Sequence, residues 1–126
     1  WLPLILTSVI FGMLHVFNPE IDKLGMGLLF YYIGTGFFFG IMTLMDDGIE
    51  LALGFHIANN LITALLVTAD WTAFQTYSIL NDISEPTLIP ELVLYLCILY
   101  PISLFILSKK YGWTNWKYKL TAGIDE

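Results

Sequence analysis

The sequence predicts an all-α fold, a polytopic transmembrane helical bundle with about four membrane helices, and three observations carry that prediction. The first is composition: 57% of the 126 residues are hydrophobic and only 13% are charged, against roughly 25% charged in a soluble domain. The second is that the apolar residues fall into four runs, at about 1–17, 24–45, 49–69 and 88–107, each near the ~20 residues that a bilayer crossing needs. The third is that the clusters of polar residues and turn formers, at 18–23, 46–48 and 70–86, fall between the runs. Nothing reads as a strand or as a soluble domain.

The first run starts at Trp1, with no basic segment before it, so it does not read as a signal peptide. Without an initiator methionine, the chain reads as the C-terminal part of a longer protein. Asn18-Pro19 ends the first run, because the residue before proline is pushed out of helical geometry. In the second run, Gly36 and Gly40 form a small-xxx-small pair that lets two helices approach closely. The second run gives way at Met45-Asp46-Asp47-Gly48. There Asp47, with Glu50 three positions on, resembles a capping box at the start of the third run. A metal role for Asp46, Asp47 or Glu50 is the weaker reading of those acids.

The long connection from Asp70 to Pro86 holds Trp71, Phe74, Tyr77, Ile79 and Leu80 among polar residues, a mixture that suits the membrane interface. Pro90 and Glu91 mark the first turn of the fourth helix, and Pro101 is expected to kink it. The tail, 108–126, alternates lysines with Tyr111, Trp113, Trp116 and Tyr118. Basic residues beside a membrane helix favour the cytoplasm, so the tail is expected there. Counting back four crossings puts Trp1 and the Asp46-Asp47 turn on the same side and 70–86 outside, with Lys23 a small exception. The expected location is the cell membrane of a prokaryote, and membrane lipid is the first partner.

The formal net charge is −6, and four of the five basic residues lie in the tail. No basic face exists outside it, which excludes nucleic acid as a partner. The single cysteine, Cys97, cannot form an internal disulfide and reads as a small buried or lipid-facing side chain.

Chemistry concentrates in few places. The only two histidines, His15 and His56, both lie inside apolar runs, where a polar side chain must face a partner or a water-filled cavity. His56 and Asn60, four positions apart, share one helix face. Hydrolysis of a peptide bond in lipid needs a water, a base to activate it and donors for the oxyanion. Imidazole positions or deprotonates water, and an asparagine amide donates without changing protonation. This pattern does not separate a metal-free mechanism from a metal-dependent one. Two histidines with a carboxylate could equally hold zinc through His15 and His56, and a bis-histidine haem protein is a further alternative.

Phe11-Gly12-Met13-Leu14-His15 resembles the F-x-x-x-H motif of the CPBP family of intramembrane proteases, also called the CAAX protease and bacteriocin-processing or Abi family. His56-Ile57-Ala58-Asn59-Asn60 resembles its H-x-x-x-N motif, and the two stand in the family's order with one glycine-rich crossing between them. The resemblance covers the chain up to about Ala69. It implies an intramembrane endopeptidase acting on a membrane-associated or prenylated peptide. His15, His56 and Asn60 would be catalytic, with His15 helping to hold the water and His56 and Asn60 facing the oxyanion. The family's base is a glutamate of an E-E-x-x-x-R motif, which does not occur here, since the chain has no arginine. An inactive immunity or scaffold relative is the remaining alternative.

Depth sets a condition on this site. With straight helices, a rise of 1.5 Å per residue leaves ~15 Å between the levels of His15 and His56. A shared site requires the first helix either to continue past Pro19 or to end inside the protein, with Asn18-Pro19 lining a cavity. Imidazoles more than ~12 Å apart would not serve one water.

Overall fold

The structure is a computed structural model that describes residues 1–122, so the last four positions of the expected tail lie outside the described residues. The chain is helical for most of that length. Helix α1 spans Leu2–Met13, α2 Pro19–Leu24, α3 Leu29–Met45 and α4 Glu50–Leu66. Helix α5 runs from Leu88 to Tyr111, and α6 spans Trp116–Thr121. A 3₁₀ turn, Met26–Leu28, leads directly into α3, so that Met26–Met45 is one apolar helical stretch of 20 residues.

Two stretches, Met26–Met45 and Leu88–Tyr111, are long and apolar enough to cross a membrane, because at 1.5 Å per residue each spans the ~30 Å hydrocarbon layer. Helices α1 and α4, with 12 and 17 residues, are shorter than the expected runs. The first ends at Met13, not at Phe17, for a local reason. After Leu14 the backbone bonds tighten from i−4 to i−3, with the His15 amide bonding Gly12 and the Val16 amide bonding Met13. Asn18 then takes the extended backbone that the following proline demands, at φ −69° and ψ 141°.

Two further expectations are corrected. A pair of two-residue strands exists, Val67–Thr68 and Leu80–Asn81, paired in parallel. It arises because the 70–86 connection folds back on the end of α4, where the Ser78 hydroxyl and the Ile79 amide satisfy the carbonyls of Ala64 and Leu65. The Asp47–Glu50 capping box does not form, since Ile49 is the N-cap and makes no side-chain bond. Asp47 instead sits at φ 55° and pairs with Lys119. In α5, seven residues before Pro101, Val93–Leu99, are π-helical. The wider turn relieves the clash between the proline ring and the carbonyl four residues back. Cys97 lies on the exposed surface of this helix, as its lipid-facing reading expects.

Helix α1 packs along α3 through the predicted glycines. A Cβ on Gly36 would come within 2.8 Å of both the Cα and the carbonyl oxygen of Ser8, and backbone cannot yield as a side-chain tip can. Gly36→Val is therefore expected to cost ~1–3 kcal/mol through overpacking, read as a fall in thermal stability in detergent. Helix α5 leans on the opposite side of α3, where Tyr100 stacks on Phe38 at 4.4 Å between centroids. The Tyr100 hydroxyl also meets that of Thr35 at 2.8 Å. The core closes at the α3–α4 turn, around Phe38, Met42, Met45, Ala52 and Trp113. Elsewhere large apolar side chains face outward, among them Leu53, Ile57, Leu61 and Leu65 of α4, a surface that suits lipid rather than water. The protein is an α-helical membrane protein.

Candidate active site

His15 stands in the turn after α1, four residues beyond Phe11. Its Nδ1–H donates to the Phe11 carbonyl at 2.8 Å, which satisfies one of the acceptors that a helix end leaves unpaired. A carbonyl only accepts, so the proton is assigned to Nδ1 and Nε2 keeps its lone pair. The ring stacks on Tyr32 of α3 at 4.3 Å, with an interplanar angle of 19°. Asn18 donates to the Tyr32 hydroxyl at 3.3 Å.

His56 and Asn60 follow each other on α4, as the i, i+4 spacing requires. The Asn60 amide donates to His56 Nε2 at 3.2 Å, which assigns the proton of this ring to Nδ1. The two histidines are thus complementary: His15 offers an acceptor nitrogen, and His56 offers an N–H donor.

Phe11 joins them. Its ring lies 4.9 Å from His15 and 5.8 Å from His56, centroid to centroid, so the two imidazoles are held closer than the ~12 Å limit for one shared site. Phe39 of α3 packs edge-on against His56 at 5.1 Å. The depth condition is met by its second route: α1 ends early and the Asn18 turn lines the cavity with the histidines. That cavity has a volume of about 320 Å³, and His15, His56 and Asn60 all line it. Half-buried, these side chains stand at its wall rather than in a sealed core.

A larger apolar cavity, of about 830 Å³, lies on the other side of Phe11 and Phe39, and His56 belongs to its wall as well. Trp1, Leu4 and Thr7 of α1 and Leu53 of α4 contribute to it. Among the described residues no group of three or more His, Cys, Asp or Glu comes together as a metal cluster. Asp46 and Asp47 are committed to the C-terminal segment, accepting from Trp113 Nε1 at 3.1 Å and from Lys119 at 2.6 Å respectively.

Sequence reasoning missed Tyr32 and Phe39, which shape the site from α3. It also set aside Glu20 and Trp71, which line the cavity from α2 and from the 70–86 connection. The positions of Tyr32 and Phe39 in an apolar run carry no signal that separates them from packing residues. Glu20 carries one in retrospect, as an acid within two residues of the Asn18 turn.

Residues 1–62 match the model of a protease family described as the type II CAAX prenyl endopeptidase Rce1-like family. This match contains Phe11, His15, His56 and Asn60, and bears out the resemblance read from the two motifs. The chain is also 35% identical over 69 residues to the uncharacterized protein YyaK of Bacillus subtilis (strain 168), covering 52% of this chain and 23% of that protein. The chain thus spans about a quarter of the length of that curated relative. No solved structure matches.

Proposed function

We propose, from the premise that residues 1–62 are of the Rce1-like family, that the protein is an intramembrane endopeptidase. It hydrolyses a peptide bond of a membrane-associated or prenylated peptide by an activated water. The observation that carries this reading is the bridge formed by Phe11, which brings an acceptor imidazole and a donor imidazole to one cavity.

In this reading His15, fixed by its bond to the Phe11 carbonyl, holds the attacking water on Nε2. The water adds to the scissile carbonyl carbon as the base takes its proton, and the carbonyl π pair moves onto oxygen. His56 Nδ1–H and the second amide hydrogen of Asn60 stabilise that oxyanion. Collapse of the tetrahedral species breaks the C–N bond, and the proton held by the base passes to the leaving amine. The reading takes the base to be the glutamate of an E-E-x-x-x-R motif, which must be supplied from outside this sequence. The apolar cavity beside His56 offers room for an apolar or prenyl chain of the substrate. The protein is placed in the cell membrane, with the Lys109-Lys110 end of α5 in the cytoplasm, because basic residues next to a membrane helix favour that side.

The test is the intact protein in liposomes, offered prenylated and unprenylated fluorogenic peptides. Release of a C-terminal fragment from either, at a single bond, supports the endopeptidase. Absence of cleavage in a preparation whose sequence includes the paired glutamates and arginine would sink it.

A further inference from the structure

We infer that Glu20 and Trp71 form a subsite for the peptide backbone of the substrate, next to the histidine pair. This inference rests on the endopeptidase reading and deepens it. Two buried side-chain polar atoms stand without a hydrogen-bond partner among the described residues, and both belong to this one cavity: Glu20 Oε2 and Trp71 Nε1. Native proteins leave few such atoms, because a buried polar group without a partner loses its water for nothing in return.

Their segments are joined from both sides. The other oxygen of Glu20, Oε1, accepts the Ala73 amide at 2.8 Å, so the carboxylate is tied to the segment that carries Trp71. On the other side the exposed Lys23–Glu85 ion pair, at 3.1 Å, joins α2 to the far end of the same connection and adds little. Trp71 and Glu20 therefore stand on bonded segments of one cavity wall, one presenting an N–H donor and the other a carboxylate acceptor.

A single ligand satisfying both must carry a donor and an acceptor. An ammonium or a guanidinium offers only donors, and an ester only acceptors. A secondary amide offers both, with its N–H donating to Glu20 Oε2 and its carbonyl accepting from Trp71 Nε1. The peptide unit is that group, and it is present in every residue of the chain to be cleaved. Recognition through the backbone fixes the substrate's position while leaving its side chains free, so that sequence preference comes from elsewhere in the cavity.

The test reads binding without cleavage. The intact protein, labelled with 5-fluorotryptophan and held in nanodiscs, is titrated with N-methyl-4-methylpentanamide, whose one secondary amide is its only donor. The Trp71 fluorine resonance is assigned by its loss in Trp71→Phe. A saturable shift of that resonance is expected with the secondary amide. The shift should weaken at least ~10-fold with the methyl ester or the N,N-dimethylamide, which lack the donor, as loss of one bond to a charged acceptor predicts. Glu20→Gln keeps an oxygen for Ala73 and is expected to weaken binding similarly.

Equal binding of all three probes, or no shift with any of them, overturns the subsite and leaves a bound water as the partner of both atoms. If the amide binds but no peptide is cleaved, the endopeptidase reading fails alone. If peptides are cleaved with an unchanged KM in Glu20→Gln, the subsite fails alone.

Discussion

His56→Ala is expected to lower peptide cleavage by ~10²–10⁴-fold, the range for removing one positioned proton-transfer or polarising group, while the helical circular dichroism signal stays at the parent level. His56 is half-buried at a cavity wall, and its ring contacts are edge-on packing against Phe11 and Phe39. Its removal therefore takes away the donor without opening a sealed core. His15→Ala is expected to lose activity by a similar factor with some loss of stability, because His15 also caps the Phe11 carbonyl and stacks on Tyr32. Asn60→Ala should fall less far, by ~10²–10³-fold, since the proposed mechanism then loses one oxyanion donor and His56 is freed to change tautomer. The measurement is single-turnover cleavage of a fluorogenic peptide in liposomes, with thermal unfolding as the control. Parent-level activity in both histidine variants would refute the assignment of the site.

The histidine pair was legible because it is the chain's costliest chemistry: a polar ring inside an apolar run must be used or paired. Asn60 followed from helical spacing alone. The early end of α1 was legible only as one of the two routes that a shared site required, because the apolar run itself continues through Leu14, Val16 and Phe17. At that end the His15 side chain bonds a carbonyl of its own last turn, a local effect that hydropathy does not register. The same blindness explains the 70–86 connection. Its aromatic residues mark an interface, yet the hydroxyls of Thr76 and Ser78, both bonding the Ala64 carbonyl, determine that it folds back on α4. Trp71 reads from sequence only as an interface aromatic and Glu20 only as an acid of the turn after the first run, and their shared cavity gives them a further meaning.

The tail makes the opposite case, and its test is Trp113→Ala. Alternating lysines and aromatics read as a surface appendage anchored at the interface, for which loss of one ring would change stability by less than ~1 kcal/mol. The structure instead puts Trp113 in the core, 8% exposed, against Phe38, Met42, Met45 and Ala52. Gly112 makes this reversal feasible, ending α5 in the left-handed region at φ 65° and turning the chain back on α3. Truncation of a buried tryptophan costs ~3–5 kcal/mol, and the bond from Nε1 to Asp46 is lost with it. Lys119→Ala should cost far less, because its partner Asp47 is 78% exposed and such pairs contribute ~0–1 kcal/mol. A thermal or denaturant unfolding series in detergent separates the two cases: a large shift for Trp113→Ala beside a small one for Lys119→Ala identifies packing, not charge, as what holds the tail. Equal, small shifts in both would return the tail to the interface.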